Sequence, residues 1–402
     1  MPNAKRVPPK LPLSTWVKAI VLLALATGLT SAVFLFALRA VEQYREQQLW
    51  IMAGLPLAGV AVVFLYKRYA PNANKGNSLY YDEYKNPTGS ISFVMAPLIV
   101  LATLVTHLFG GSAGREGTAI QYGGTYADTL AKKLKLAKQH SRILLICGVS
   151  AGFSSLFGTP LAGTAFSIAI FRKGKIRKSA FIPALISAYV AHAITLALQA
   201  PHTHYQPIHI ATYLDPQLLW IPVVAVLCGL VGRLFTLSHS FFSALFNRLK
   251  NPYIRVACGG LLLLSLVYLI GNTKYIGLGI PTLLSAFEIP QQPVDFLWKI
   301  ILTTLTLSVG FKGGEVTPLF FIGATFCSFL STLIPLPLPL ITAVGFVSVF
   351  SAVTRTPLAC AIMAAELFGI PILPIALAAT FISSYTLNLN RRHFTFKKIA
   401  SL

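Results

Sequence analysis

The sequence GGSAGREGT, residues 110–118, lies between two apolar runs and carries a single carboxylate, Glu116. Residues 91–109 before it contain no charged side chain, and residues 119–130 after it contain only Asp128. A carboxylate at membrane depth is costly and is by default a functional residue. The surrounding glycines leave backbone N–H groups uncovered at a predicted helix start, where unpaired donors and the helix dipole attract anions. An acid and an anion would therefore compete for one position.

The composition predicts a membrane protein. Of 402 residues, 55% are hydrophobic and 11% are charged, whereas about 25% of residues are charged in soluble domains. The first apolar run, residues 16–38, is longer than a signal-peptide core and predicts a retained span in the lipid bilayer. The formal net charge of +22 comes mostly from short loops between apolar runs, so it carries topology information rather than indicating nucleic acid.

The basic loops predict the orientation of the chain. Lys and Arg cluster before residue 16, in four internal loops and after residue 390, while none occurs between Lys178 and Arg233. By the positive-inside rule, both termini are cytoplasmic and the loop around residues 202–215 faces outward. We expect a multi-pass protein of the cell (inner) membrane, with no further domain after Lys398.

Residues 143–171 predict a broken helix pair. Both ends of this segment are basic and so face the cytoplasm, yet 29 residues are too few for two full spans of about 20 residues each. Gly158-Thr159-Pro160 stands in the middle, where glycine and proline interrupt a helix. Half-helices that meet near the bilayer midplane are typical of transporters with internal repeats.

An internal repeat is visible directly. The tetrapeptide Thr-Pro-Leu-Ala at residues 159–162 recurs 197 residues later at residues 356–359. A glycine-rich turn with a glutamate precedes each copy: Glu116 by 43 residues and Glu315 by 41. This predicts two related halves, in inverted orientation. The divisions are an N-terminal segment (1–15), the first half (16–198), an outer loop (199–214), the second half (215–390) and a cytoplasmic tail (391–402).

The other charged and metal-binding side chains give weaker signals. Glu315 begins a predicted helix and Glu366 ends one, so each has a structural and a functional interpretation, and the eight acids in or near loops are expected to be solvated or capping groups. Arg115 is either an anion contact or a side chain that snorkels or pairs with backbone carbonyls. The five cysteines lie in apolar segments without CxxC spacing, and the outer-loop histidines lack suitable partners, so we expect neither a metal nor a cofactor.

The motifs resemble those of the CLC chloride channel and antiporter family. Residues 114–117, GREG, resemble the GREGP motif; residues 157–163, FGTPLAG, look like its FNAPLAG segment; and residues 313–318, GGEVTP, lie where that family has a GGIFAP-like stretch. The resemblance covers nearly the whole chain. It implies an all-α membrane fold of eighteen tilted and broken helices with an inverted repeat, and a homodimer with one anion pathway in each subunit.

Where the sequence departs from the general family pattern, it resembles the fluoride-transporting branch of the family. Thr118 replaces the proline of GREGP, Glu-Val-Thr-Pro replaces Ile-Phe-Ala-Pro, and Asn77 in Lys-Gly-Asn-Ser stands where chloride transporters place a serine. The inner glutamate of the chloride/proton antiporters corresponds to Ala169 and Ile170, so that proton route is missing. Phe394 aligns with the C-terminal tyrosine of the anion site, and Tyr385 is a second candidate.

Together these considerations predict a fluoride/proton antiporter. Half-helix N-termini at residues 76–78, 114–118 and 314–318 converge on a dehydrated anion, which an ionised Glu116 displaces and a protonated Glu116 admits. Inward protons then drive fluoride outward, with Glu315 as a further proton carrier. The predicted anion-binding residues are Asn77, Gly114, Arg115, Gly117, Gly314, Val316, Thr317 and Phe394.

Three alternatives remain at this point. A chloride-selective antiporter or a passive anion channel would use the same fold. An intramembrane hydrolase is suggested by two GxSxG patterns, with Ser112 and Ser150 and a histidine such as His107, but neither follows a strand as a nucleophile elbow requires. A nucleotide-binding protein is disfavoured because no GxxxxGK pattern occurs. We therefore expect no enzyme.

Overall fold

The computed structural model describes residues 12–71, 76–171, 178–210 and 212–386. This part of the chain is almost entirely helical, which confirms the predicted all-α class. Its sixteen α-helices fall into two series of eight, before and after the loop around residue 205. The first series, α1 to α8, comprises Leu13–Gln47, Leu55–Tyr69, Ser78–Lys85, Met95–Leu108, Glu116–Lys133, Lys138–Phe157, Pro160–Ile170 and Phe181–Ala197.

The second series repeats the order of long and short helices found in the first. Its members, α9 to α16, are Ile221–Phe246, Pro252–Ile270, Ile280–Ser285, Asp295–Val309, Val316–Leu330, Leu338–Thr354, Pro357–Phe368 and Leu373–Thr386. Equivalent helices of the two series also touch, since α2 packs on α10 and α7 packs on α15. Contacts between equivalent elements are what an internal two-fold axis produces. Five helical segments in the described residues are long and apolar enough to cross a membrane.

The broken helix pair forms at the predicted place. Helix α6 ends at Phe157, Gly158 follows with a left-handed φ of 77°, and α7 begins at Pro160. Glycine adopts this conformation without a steric penalty, and proline fits the first turn of a helix. In the second half Arg355 takes the same left-handed position before Pro357.

Small residues allow the central helices to approach closely. Gly123 of α5 lies against the backbone of Gly148 in α6, and Gly323 of α13 lies against Gly345 of α14 in the same way. A Cβ atom at any of these positions would collide with the facing main chain. Such small-residue contacts replace hydrophobic burial as the means of bringing membrane helices together.

Several acids predicted to be solvated or capping groups are instead wholly or partly buried. Glu83 and Asp128 are each 5% exposed, and Asp295 is fully buried. Glu42, which is partly buried, accepts a hydrogen bond from Leu278 N–H at 3.0 Å and contacts His107 Nδ1 at 3.2 Å. These four side chains are therefore not solvated, and most of the partners that cover them come from folded loops and other helices. One of the five cysteines, Cys258, is exposed rather than packed in the core.

Candidate functional site

The two glycine turns meet in the middle of the protein. The glycine turns are residues 110–115, which directly precede α5, and residues 310–315, which directly precede α13. Gly114 N–H donates to Gly314 C=O at 2.5 Å, and Gly314 N–H donates to Gly114 C=O at 2.7 Å. This reciprocal pair is an isolated antiparallel bridge. It brings the N-termini of α5 and α13, and hence their uncovered N–H groups, to one point.

Glu116 lies at this point and is fully buried. Its Oε2 accepts hydrogen bonds from the backbone N–H groups of Arg115 and Thr317, each at 3.1 Å. Its Oε1 accepts a hydrogen bond from the Thr317 hydroxyl. The carboxylate therefore accepts hydrogen bonds from N–H and O–H donors that both halves of the chain supply. These donors could equally bind a small dehydrated anion.

Arg115 supports the negative charge at this position. Its Nε lies 3.9 Å from Glu116 Oε1 and, although buried, has no hydrogen-bond partner among the described residues. The side chain faces a small cavity of about 10 Å³, which we call the Arg115 cavity, lined also by Thr317, Tyr205 and Phe320. Of the two interpretations of Arg115, this placement favours the one in which the guanidinium contributes to an anion site.

A second cavity borders the same two helix starts. This Asn77 cavity has a volume of about 80 Å³, and its lining includes Asn77, Gly117, Glu315 and Val316. Gln121 Nε2 donates to Asn77 Oδ1 at 3.2 Å. Because that bond uses the amide oxygen, the amide nitrogen of Asn77 remains available as a donor. Three half-helix starts, those of α3, α5 and α13, thus contribute to one cavity.

A third and larger space, the basic cavity, shares Asn77 and Glu315 with the Asn77 cavity. It has a volume of about 440 Å³ and contains Lys67, Lys250, Arg255 and Lys312 among its lining residues. The ammonium group of Lys312 lies 4.5 Å from the centre of the Tyr66 ring. Four cations and one carboxylate give this cavity a positive potential that would concentrate anions next to Asn77.

Not every predicted site residue can be placed. Phe394 lies outside the described residues. Tyr385, the second candidate for that position, is 65% exposed and lines none of the three cavities. Within the described ranges, no group of three or more His, Cys, Asp or Glu residues is arranged to hold a metal ion.

The residues suggested for hydrolysis are separated from one another. Ser112 Oγ donates to Tyr275 C=O at 2.8 Å, while the ring of His107 contacts Glu42. Ser150 Oγ donates to Ala184 C=O at 3.1 Å on α8. Neither of these hydrogen bonds joins a serine to a histidine, so the geometry gives no support to a nucleophile and base pair.

Gln121 and Tyr81 are among the lining residues that the sequence did not indicate. Gln121 holds the amide of Asn77, and Tyr81 lines the Asn77 cavity with its ring against Phe171. Tyr81 lies four positions after Asn77, about one turn into α3, so the helix period could have indicated it. Gln121 lies on α5, and nothing in the local sequence connects it to Asn77.

Comparisons with known proteins agree on the family. The family model described as voltage gated chloride channel matches residues 58–388. A chloride/fluoride channel protein of Pseudomonas syringae pv. tomato is 40% identical over 384 residues, which cover 93% of this chain and 84% of the relative.

Solved structures are similar over nearly the whole chain. The crystal structure of a CLC-type fluoride/proton antiporter aligns with a TM-score of 0.89 and 31% identity, covering 93% of this chain and 95% of that chain. A slow cyanobacterial Cl⁻/H⁺ antiporter aligns with a TM-score of 0.83 at 20% identity, covering 96% and 97% of the two chains, and so supports the fold. The chain belongs to the voltage gated chloride channel (CLC) family of membrane transport proteins.

Proposed function

We propose that this protein is a fluoride/proton antiporter of the cell membrane, which exports fluoride in exchange for protons. The observation that carries the proposal is the position of the Glu116 carboxylate on the N–H groups of Arg115 and Thr317 and on the Thr317 hydroxyl. A carboxylate oxygen and a fluoride ion are both compact acceptors of such donors. Binding of one excludes the other.

The exchange follows from this competition. Ionised Glu116 fills the donor set and closes the passage between the Arg115 cavity and the Asn77 cavity. Protonation removes the charge that holds the carboxylate there, so the side chain leaves and an anion takes its place. Glu315, at the start of α13 and beside Asn77, is the second proton carrier. Net inward movement of protons therefore drives fluoride outward.

Selection of fluoride rests on strong, closely spaced donors. Fluoride is small and loses more hydration energy than chloride on entering a dry site, so it requires short hydrogen bonds in return. The Thr317 hydroxyl and the Asn77 amide provide such bonds beside backbone N–H groups. The similarity to a fluoride/proton antiporter at 31% identity supports this choice of anion.

A chloride-selective antiporter or a passive anion channel is the second candidate, because the 40% identical relative is named a chloride/fluoride channel protein. Purified protein in liposomes distinguishes these functions when fluoride and chloride efflux and internal pH are recorded together. Fluoride efflux with opposite proton movement supports the proposal. Equal chloride efflux, or anion efflux without proton movement, contradicts it.

The coupling role of Glu116 is tested by Glu116→Gln. The amide cannot exchange a proton, so we expect fluoride-driven proton movement to fall to the background of empty liposomes. Glu288→Gln, a change at an exposed loop acid, is the matched control and should transport normally. Fluoride-driven proton movement that survives in Glu116→Gln would show that another group couples the two ions.

Two further properties belong to the same proposal. We propose that the protein is a homodimer with a complete anion pathway in each subunit, as the family resemblance implies. We also propose that the cell (inner) membrane is its location, with the basic cavity open to the cytoplasm. The mass of the detergent-solubilised protein after mild crosslinking tests the dimer.

A further inference from the structure

The proton path on the side of the basic cavity lacks a carboxylate beyond Glu315. On the side of the Asn77 cavity formed by the end of α7, the lining residues Phe166, Ile170 and Phe171 are apolar and cannot carry a proton. Among the described residues that line the Asn77 and basic cavities, Glu315 is the single acid. A proton that reaches Glu315 needs another way to leave.

The basic cavity offers one side chain with suitable chemistry. Its ionisable lining groups, other than Glu315, are Tyr66, Lys67, His239, Lys250, Arg255 and Lys312. A neutral imidazole accepts a proton at one ring nitrogen and releases one from the other, whereas protonated lysine and arginine side chains have no acceptor. A volume of about 440 Å³ is far above the roughly 10–15 Å³ that one water molecule needs, so water can connect these groups.

His239 is held in a geometry that suits proton transfer. It lies on α9, is 5% exposed, and its Nε2 lies 3.1 Å from the hydroxyl of Ser243. Its Nδ1 lies 3.5 Å from the hydroxyl of Ser308 on α12, and the two hydroxyls are 3.1 Å apart. Each ring nitrogen thus faces a group that both donates and accepts, and both serines also line the basic cavity.

The surroundings of His239 favour release of a proton over its storage. No carboxylate pairs with the ring in the described part of the chain, and the charged side chains that share its cavity are Glu315 and the cations Lys67, Lys250, Arg255 and Lys312. Burial of the ring, with no carboxylate beside it, opposes a long-lived imidazolium. A proton that reaches the ring is therefore passed on.

We propose that His239, with Ser243 and Ser308, carries protons between Glu315 and the cytoplasmic solution. The proton leaves the Glu315 carboxyl for a water molecule in the cavity, and that water passes a proton to one imidazole nitrogen. The other nitrogen then releases a proton through a serine hydroxyl to the solution, which restores the neutral ring. This inference rests on the proposed antiport and assigns its missing inner proton carrier.

The experiment compares proton and fluoride movement in liposomes for the wild type, His239→Gln and His209→Gln. General acid–base groups contribute roughly 10²–10⁴-fold to proton-transfer rates, so we expect His239→Gln to slow fluoride-driven proton movement at least about tenfold. His209, exposed in the loop after α8, is the matched control, and its replacement should leave both fluxes unchanged.

Two additional variants separate a proton role from a structural one. Glu116→Gln with and without His239→Gln should give the same fluoride flux, because uncoupled anion movement needs no proton carrier. In His239→Gly, millimolar imidazole in the buffer should restore proton movement, since the cavity has room for a free ring that takes over the acid–base role. A merely structural histidine would give neither result.

Three results would overturn the proposal: normal coupling in His239→Gln, absence of imidazole rescue in His239→Gly, or a lower fluoride flux in the double variant than in Glu116→Gln. They are distinguishable from failure of the proposed function, because in that case the wild type itself would show no fluoride-driven proton movement.

Discussion

Glu116 is buried without any water-exposed surface, and its stability in that place depends on the donors around it. An uncompensated carboxylate in an apolar interior costs many kcal/mol, but here two N–H groups and one hydroxyl satisfy its oxygens. The Arg115 guanidinium, 3.9 Å away, adds a favourable charge. The same set of groups would satisfy an anion once Glu116 is neutral.

At the scale of single residues, the Thr317 hydroxyl is the donor that can be removed most cleanly. Thr317→Val keeps the shape of the side chain and the backbone N–H. Hydrogen bonds to charged groups contribute about 1.5–3 kcal/mol, so in a Glu116→Gln background we expect fluoride binding to weaken about tenfold to a hundredfold. Calorimetric titration with fluoride and with chloride measures the change, which should be larger for fluoride.

Thr325→Val is the matched control for that prediction. Thr325 is buried on the same helix, and its hydroxyl donates to Phe321 C=O at 2.8 Å rather than toward Glu116. Its replacement should leave fluoride affinity unchanged. Equal fluoride affinities in the Thr317 and Thr325 variants would remove Thr317 from the anion site.

The sequence indicated the importance of Glu116, because an acid among glycines between two apolar runs is costly at membrane depth. That inference does not require knowing which groups contact the acid. It did not indicate that Glu42, Glu83, Asp128 and Asp295 are wholly or partly buried. Glu83, for example, accepts a hydrogen bond from Gly89 N–H at 2.6 Å within the turn after α3. Burial of an acid depends on donors that come from folded loops and distant helices, and the local sequence does not show them.

At the scale of elements, the half-helix tips depend on the absence of side chains at the glycine turns. A Cβ atom at Gly117 would lie 3.0 Å from both Gly313 C=O and the Cα atom of Gly314. Gly117→Ala should therefore push α5 away from α13. We expect about 1–3 kcal/mol of destabilisation from overpacking and a loss of fluoride transport, measured by thermal unfolding in detergent and by liposome flux.

Gly271→Ala is the control that separates loss of stability from loss of transport. Gly271 has a left-handed φ of 66°, and a Cβ atom added to it would have no neighbour within 4 Å in the described part of the chain. Its replacement therefore strains the backbone after α10 without a clash. It should lower stability and keep transport. Normal fluoride transport by Gly117→Ala would contradict the close approach of the two helix starts.

A second contact between elements joins α15 to α7. The carboxylate of Glu366 accepts hydrogen bonds from the N–H groups of Leu161 and Ala162, both at 2.8 Å. It thus caps the first turn of a helix in the other half. We expect Glu366→Ala to lower the free energy of unfolding by about 1–3 kcal/mol, while ion coupling in the folded protein stays intact.

Equilibrium unfolding and the coupling assay together check this prediction. Glu46→Ala, at a side chain that is 61% exposed, is the comparison and should change stability little. Loss of coupling at unchanged stability in Glu366→Ala would indicate a functional role instead of a structural one.

Helix breaks were predictable and helix pairings were not. Gly158 and Pro160 interrupt a segment with their own backbone preferences, so the α6–α7 boundary follows from local chemistry. The reciprocal bonds between Gly114 and Gly314 join residues 200 positions apart. The repeated tetrapeptide and the two glycine-glutamate turns indicated that the halves correspond, but no sequence spacing indicates which backbone groups touch.

At the scale of the whole molecule, the basic loops predict one orientation that can be tested directly. A cysteine introduced at exposed His209 should react with a membrane-impermeant maleimide on intact cells, whereas one introduced at exposed Lys250 should react only after permeabilisation. Of the native cysteines, Cys258 is exposed and the other four are buried, so a Cys258→Ser background removes the main competing thiol. Labelling of residue 250 from outside would reverse the assignment.

The reciprocal Gly114–Gly314 bridge joins the two halves of the chain beside Glu116, where we propose that the ion passes. Many transporters turn over by rocking one repeat against the other about a central site, but such a motion here would break the two hydrogen bonds beside the proposed anion site. We therefore expect the Glu116 side chain to be the main moving group, while the two halves keep their relative positions. Ion exchange should consequently continue when covalent crosslinks join the two halves at the periphery of the protein, because the motion is confined to the Glu116 side chain.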